Sequence, residues 1–135
     1  MAKTVDELLR EARANLRRLE PAEAAEAVAG GAVLVDIRCA EQLSAGTIPG
    51  AVWISRNVLE WRVDPSSGHQ HPAVAGRENR LILICAQGYQ SSLAAATLHE
   101  LGFTDVTDVV GGFEAWAAAG LPVSSSPGRA SASRS

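Results

Sequence analysis

Four short apolar runs punctuate the chain: Ala32-Val33-Leu34-Val35, which ends at Asp36; Ala51-Val52-Trp53-Ile54; Leu81-Ile82-Leu83-Ile84; and residues 106–110. None alternates apolar with polar positions, so each predicts a strand covered on both faces of its sheet. Helical stretches separate some of them, over residues 40–45, 91–101 and 112–119. Strand–helix alternation predicts an α/β fold, with a mostly parallel central sheet and helices on both faces.

Ahead of the first strand the period changes. Thr4-Val5-Asp6-Glu7 is a capping box, and Val5, Leu8, Leu9, Ala12, Leu16 and Leu19 fall on one helical face. An N-terminal helix is expected there, with Arg17 and Arg18 in its last turn, where cations suit the dipole. A helix with one apolar face usually buries it locally, so packing on its own domain is favoured over service to a partner. Pro21 opens a second short helix, and Gly30-Gly31 ends it. Residues 62–80 are polar and carry Pro65, Gly68, Pro72 and Gly76. They predict a long surface loop, a kind of segment that often serves function. The serine-rich stretch from residue 124 has too little apolar surface to bury and is expected to be disordered. The organisation is thus a helical extension (1–19), one domain (20–123) and a tail (124–135).

Composition narrows the function. With 135 residues, 47% of them hydrophobic, the chain has enough apolar surface for one core without disulfides or metal. A net charge of −3 gives no electrostatic reason to bind nucleic acid or an anionic membrane. The longest apolar run, residues 81–86, is too short to span a bilayer, and the first residues lack the apolar stretch of a secretory signal. Cys39 and Cys85 are the two cysteines and form no CxxC pair, so a reduced, cytoplasmic thiol protein is expected. His69-Gln70-His71 has no thiolate or carboxylate cluster around it, and no metal site is expected. No glycine fingerprint or P-loop is present, so no cofactor is expected either.

The informative stretch runs from Leu81 to Ala96. A buried strand ends at Cys85, a short turn with Gly88 follows, and Ser91 or Ser92 is placed to cap an Ala/Leu-rich helix. Ligands of open α/β sheets bind beyond the carboxyl ends of strands. The turn's free N–H groups and the helix start are expected to face the sulfur, which favours the reactive thiolate and equally a persulfide or a bound oxyanion. A small buried residue closing a core strand also explains a cysteine at a strand end. It leaves the glycine turn and polar helix start unexplained.

Four pieces of the chain, between Pro21 and Val123, resemble the rhodanese family of sulfurtransferases. Val33-Leu34-Val35-Asp36-Ile37-Arg38 is similar to that family's first strand and D-x-R turn. Gly46-Thr47-Ile48-Pro49-Gly50-Ala51 resembles its G-H-I-P-G-A turn, and residues 85–91 its active-site loop. Gly111-Gly112-Phe113-Glu114-Ala115-Trp116, followed by Gly120-Leu121-Pro122-Val123, resembles its terminal signature. The resemblance implies sulfur transfer in two steps. The Cys85 thiolate takes a sulfane sulfur from a donor such as thiosulfate, and the resulting persulfide passes it to cyanide or to a thiol, small or on a protein. The rivals are a non-catalytic rhodanese-like module that binds partners, and a redox switch in which Cys39 resolves Cys85.

The site expected on this resemblance comprises Cys85, the donor-binding residues Ala86, Gln87, Gly88, Tyr89, Gln90 and Ser91, and a bracing pair, Asp36 and Arg38. Many single-domain relatives carry arginine where this loop has Gln90, and a neutral amide cannot clamp an anion bidentately. Arg56, just beyond the second strand, is the candidate replacement. The related phosphatases use C-x5-R, whereas the sixth residue after Cys85 is Ser91, which argues against phosphoryl transfer. Thr47 stands at the family's histidine and reads as a structural variation.

Overall fold

The computed structural model describes residues 2–76 and 80–125. Within these residues four strands, β1 (Val33–Asp36), β2 (Val52–Trp53), β3 (Leu81–Ile84) and β4 (Val106–Asp108), form one parallel sheet in the order β2-β1-β3-β4. The registers pair Asp36 with Trp53 and Ile84, and Leu83 with Asp108. All four strands therefore end at one edge, and Cys85, Arg38, Arg56 and Asp108 gather there.

Among the described residues, five α-helices accompany the sheet: α1 (Val5–Arg13), α2 (Pro21–Ala29), α3 (Leu59–Val63), α4 (Gln90–Glu100) and α5 (Gly112–Ala118). The apolar runs do not alternate because both faces are covered. Val33, Val35, Leu81 and Leu83 pack against Leu59 and Val63 of α3 and Ala94, Ala95 and Leu98 of α4. Leu34, Ile82 and Ile84 pack against Ala24 of α2 and Phe113 and Trp116 of α5. This is the α/β architecture expected from the sequence. The stretch at Ala40–Ala45 is a 3-10 helix, tighter than an α-helix.

The N-terminal segment departs from the reading above. The capping box forms, with Glu7 N–H donating to Thr4 Oγ1 at 3.0 Å. The helix, however, ends at Arg13, so Arg17 and Arg18 lie beyond it. It packs on α4, yet Val5 and Leu8 remain largely exposed. The apolar hooks come after the helix: Leu16 packs against one core cluster and Leu19 against the other. Leu19 also bridges to Val109 in parallel fashion, its N–H donating to Asp108 O at 3.0 Å and its carbonyl accepting from Val110 N–H at 2.9 Å. The chain turns out of the helix because residues 16–19 extend along β4.

Residues 62–80 contain the end of α3 and a 3-10 turn, Pro72–Val74, whose Val74 is buried in the core. The stretch 77–79 lies outside the described residues. Thr47 and Ser124 exchange backbone hydrogen bonds at 3.1 and 2.7 Å. Of the tail expected from residue 124, residues 126–135 lie outside the described residues.

Candidate active site

Cys85 follows β3 directly and is 6% exposed. The loop after it folds back so that Gly88 N–H donates to Cys85 Sγ at 3.2 Å and Ser91 N–H at 3.3 Å. The thiol contacts Ser91 Oγ at 3.3 Å. The two amide hydrogens suit negative charge on the sulfur, and the Ser91 hydroxyl accepts from the thiol. Two backbone positions depend on glycine. Gly88 has a φ of +88°, and a Cβ on it would stand 2.7 Å from Gly111 N. A Cβ on Gly112 would stand 2.5 Å from Cys85 O. That close approach lets Phe113 N–H bind Cys85 O at 2.7 Å and Glu114 N–H bind Ala86 O at 3.1 Å. The Gly-Gly of the terminal signature thus lets the first turn of α5 hold the loop's carbonyls.

The sulfur opens onto a cavity of about 380 Å³, lined by Ala86, Gln87, Tyr89 and Gln90 of the loop, and by Arg38, Cys39 and Arg56. Gly88 and Ser91 act on the sulfur itself. Asp36 lies behind Arg38, whose guanidinium binds its carboxylate at 2.7–3.1 Å and the carbonyl of Gly46 at 2.9 Å, with Phe113's ring 4.1 Å away. The expected bracing pair is therefore a buried one. Arg56 lines the cavity, but its Nη1 donates to both carboxylate oxygens of Glu60, each at 2.9 Å. Its Nε, buried, has no hydrogen-bond partner among the described residues.

The serines differ from their expected role. The α4 helix starts at Gln90 with Tyr89 at its cap and no side-chain cap bond, which places Ser91 and Ser92 inside the first turn. Both are fully buried, and both hydroxyls donate to Asp108 Oδ2 at 2.7 Å. Asp108, also fully buried, takes Arg18 Nε–H on Oδ1 at 2.8 Å and Nη2–H on Oδ2 at 3.1 Å. A carboxylate in the core needs such partners. Sequence reading missed Asp108, Ser92, Arg13 and Arg18 as neighbours of the site. One signal was present: a lone aspartate inside an apolar strand, Val106-Thr107-Asp108-Val109-Val110, marks a buried charge that must find a cation.

Residues 20–119 match the family of rhodanese-like domains, and the chain belongs to that family. A thiosulfate sulfurtransferase GlpE from Pseudomonas savastanoi pv. phaseolicola is 36% identical over 102 residues, 76% of this chain and 88% of that protein. Thiosulfate sulfurtransferase 16, chloroplastic, of Arabidopsis thaliana is 34% identical over 91 residues, 65% of this chain and 76% of that protein. Among solved structures, a protein of unknown function from Rhodopseudomonas palustris, described as a possible tyrosine phosphatase, superposes with a TM-score of 0.82 at 32% identity, covering 91% of this chain and 96% of that one. The relatives support sulfurtransferase activity in general.

Proposed function

We propose that the chain moves a sulfane sulfur from a small donor to a thiol or cyanide acceptor through a persulfide on Cys85. The observation that carries this reading is the pair of amide hydrogens, from Gly88 and Ser91, on one sulfur at the floor of an open cavity. With thiosulfate, the Cys85 thiolate attacks the outer sulfur. The donor's S–S bond breaks, a new S–S bond forms on Cys85, and the electron pair leaves with sulfite. The acceptor thiolate then attacks the outer sulfur and restores the Cys85 thiolate. Ser91's hydroxyl, which donates to Asp108 beside the thiol, is free to turn toward the sulfur when it carries charge, because Ser92 and Arg18 continue to hold Asp108.

The cavity's charged side chains are already matched: Arg38 by Asp36, and Arg56 by Glu60. Donor binding therefore rests on backbone amides, with Arg56 as the cation on the cavity wall. Phosphoryl transfer needs a cation on the transferring group, and the loop presents Gln90 and Ser91 instead. Free thiols at Cys39 and Cys85 suit a reducing compartment such as the cytoplasm. The test is intact mass after incubation with thiosulfate and with a glutathione persulfide. A gain of one sulfur atom, lost on dithiothreitol treatment and absent in Cys85→Ser, is expected. No gain from either donor would replace this reading with that of a partner-binding module.

A further inference from the structure

Gly88, whose N–H faces the sulfur, has a carbonyl held by the N-terminal extension. Arg13 Nη2–H donates to Gly88 O at 2.7 Å and Arg18 Nη2–H at 2.9 Å. Arg13 Nε–H also reaches Ser92 Oγ at 3.0 Å, and its guanidinium lies 5.7 Å from the Tyr89 ring. Both arginines precede residue 20, where the family match begins. Two cations therefore converge on one neutral carbonyl of the loop, and a single buried carboxylate, Asp108, answers them. A net positive charge is left against the back of the loop.

We propose that Arg13 and Arg18 are positioning residues of the sulfur site. They fix the Gly88–Tyr89 peptide and supply from behind the loop the positive charge that Gln90 does not supply inside it. A trans peptide carries its C=O and N–H on opposite sides. Pinning Gly88 O to the arginines therefore turns Tyr89 N–H away from them. It also holds the carbonyl end of Gly88, the residue whose own N–H, in the preceding peptide unit, lies on Cys85 Sγ. The charge reaches the sulfur through protein, where it is weakly screened. The helical extension thus acts on the reaction without touching the substrate, and in this respect the inference rests on the sulfur-transfer reading.

The test compares the full-length chain with Arg13→Gln, which breaks no ion pair, and with the double variant Arg18→Gln/Asp108→Asn, which removes the cation without stranding the carboxylate. Two rates are read at pH 7: persulfide formation from thiosulfate, and alkylation of Cys85 by iodoacetamide, with Cys39 as the internal control. The reagent is neutral, so its rate reports the sulfur rather than attraction of an anion. Arg13→Gln is expected to slow both reactions of Cys85 about tenfold, a smaller effect than removing a donor that touches the reacting atom, with Cys39 unchanged. Arg13→Lys should recover part of the loss by keeping the charge without the fork. A purely structural tether predicts the opposite sign, since a loosened loop exposes the sulfur and speeds its alkylation. Unchanged or faster alkylation of Cys85 in both variants overturns the proposal. Were the parent chain to form no persulfide, the sulfur-transfer reading alone would fall, and the alkylation rates would still decide the role of the arginines.

Discussion

Two buried carboxylate–guanidinium pairs flank Cys85 at the carboxyl end of the sheet, and they are built differently. Asp36 and Arg38 stand two residues apart after β1. Their side chains are 4% and 1% exposed, and the guanidinium forks onto the carboxylate and covers Phe113. Asp108 and Arg18 stand 90 residues apart. Asp108 is fully buried, Arg18 keeps 16% of its side chain exposed, and the carboxylate shares its oxygens with two serine hydroxyls. The first pair closes a turn from within its own segment. The second exists only when residues 13–19 have docked on β4 and α4. One brace is local and sealed; the other is assembled from distant parts and joins the extension to the loop.

The difference is measurable. Arg38→Ala strands Asp36 almost without water, uncovers Phe113 and frees the Gly46 carbonyl, so a stability loss of about 3–5 kcal/mol is expected. It should appear as a lowered denaturant midpoint at unchanged slope. Arg18→Ala leaves Asp108 with both serine hydroxyls and a route to water along the vacated channel, and about 2–3 kcal/mol is expected from the same measurement. Equal losses in the two variants would erase the distinction between a sealed and a shared carboxylate. Ser92→Ala sharpens it further. It removes one of four side-chain contacts to Asp108, together with the acceptor of the part-exposed Arg13 Nε–H, and should cost about 1 kcal/mol. A cost approaching that of Arg18→Ala would mean that the hydroxyls, and not the cation, hold the carboxylate.

The same contrast explains what the chain's sequence discloses. Residues 81–84 and 32–35 read as strands because a short unbroken apolar run, four residues bounded by polar positions, suits a strand buried on both faces. The sulfur cradle was legible because its parts, Cys85, Gly88 and Ser91, lie within seven consecutive positions, and a turn of that length between strand and helix brings its amides together. The Asp36–Arg38 pair was legible for the same reason. Arg18 and Asp108 carry no such information, because no local rule links residues so far apart. The periodicity of Leu16 and Leu19 continued the helical face and concealed the end of α1 at Arg13. Ser91 and Ser92 looked like caps because a hydroxyl at a helix start usually serves the backbone. A buried carboxylate beneath the first turn competes for that hydroxyl and wins, since a charge-assisted bond is stronger than a neutral one.

The Leu19–Val109 bridge bears on how these molecules behave when crowded. A terminal strand offers its outer amides and carbonyls to any neighbouring chain with a matching edge, and so seeds aggregation. Here Asp108 O and Val110 N–H, on the outer side of the sheet's last strand, are already taken by Leu19 of the same chain. At the opposite margin β2 is two residues long, too short a template for a foreign strand. A single leucine thus helps keep the sheet at four strands when many copies meet.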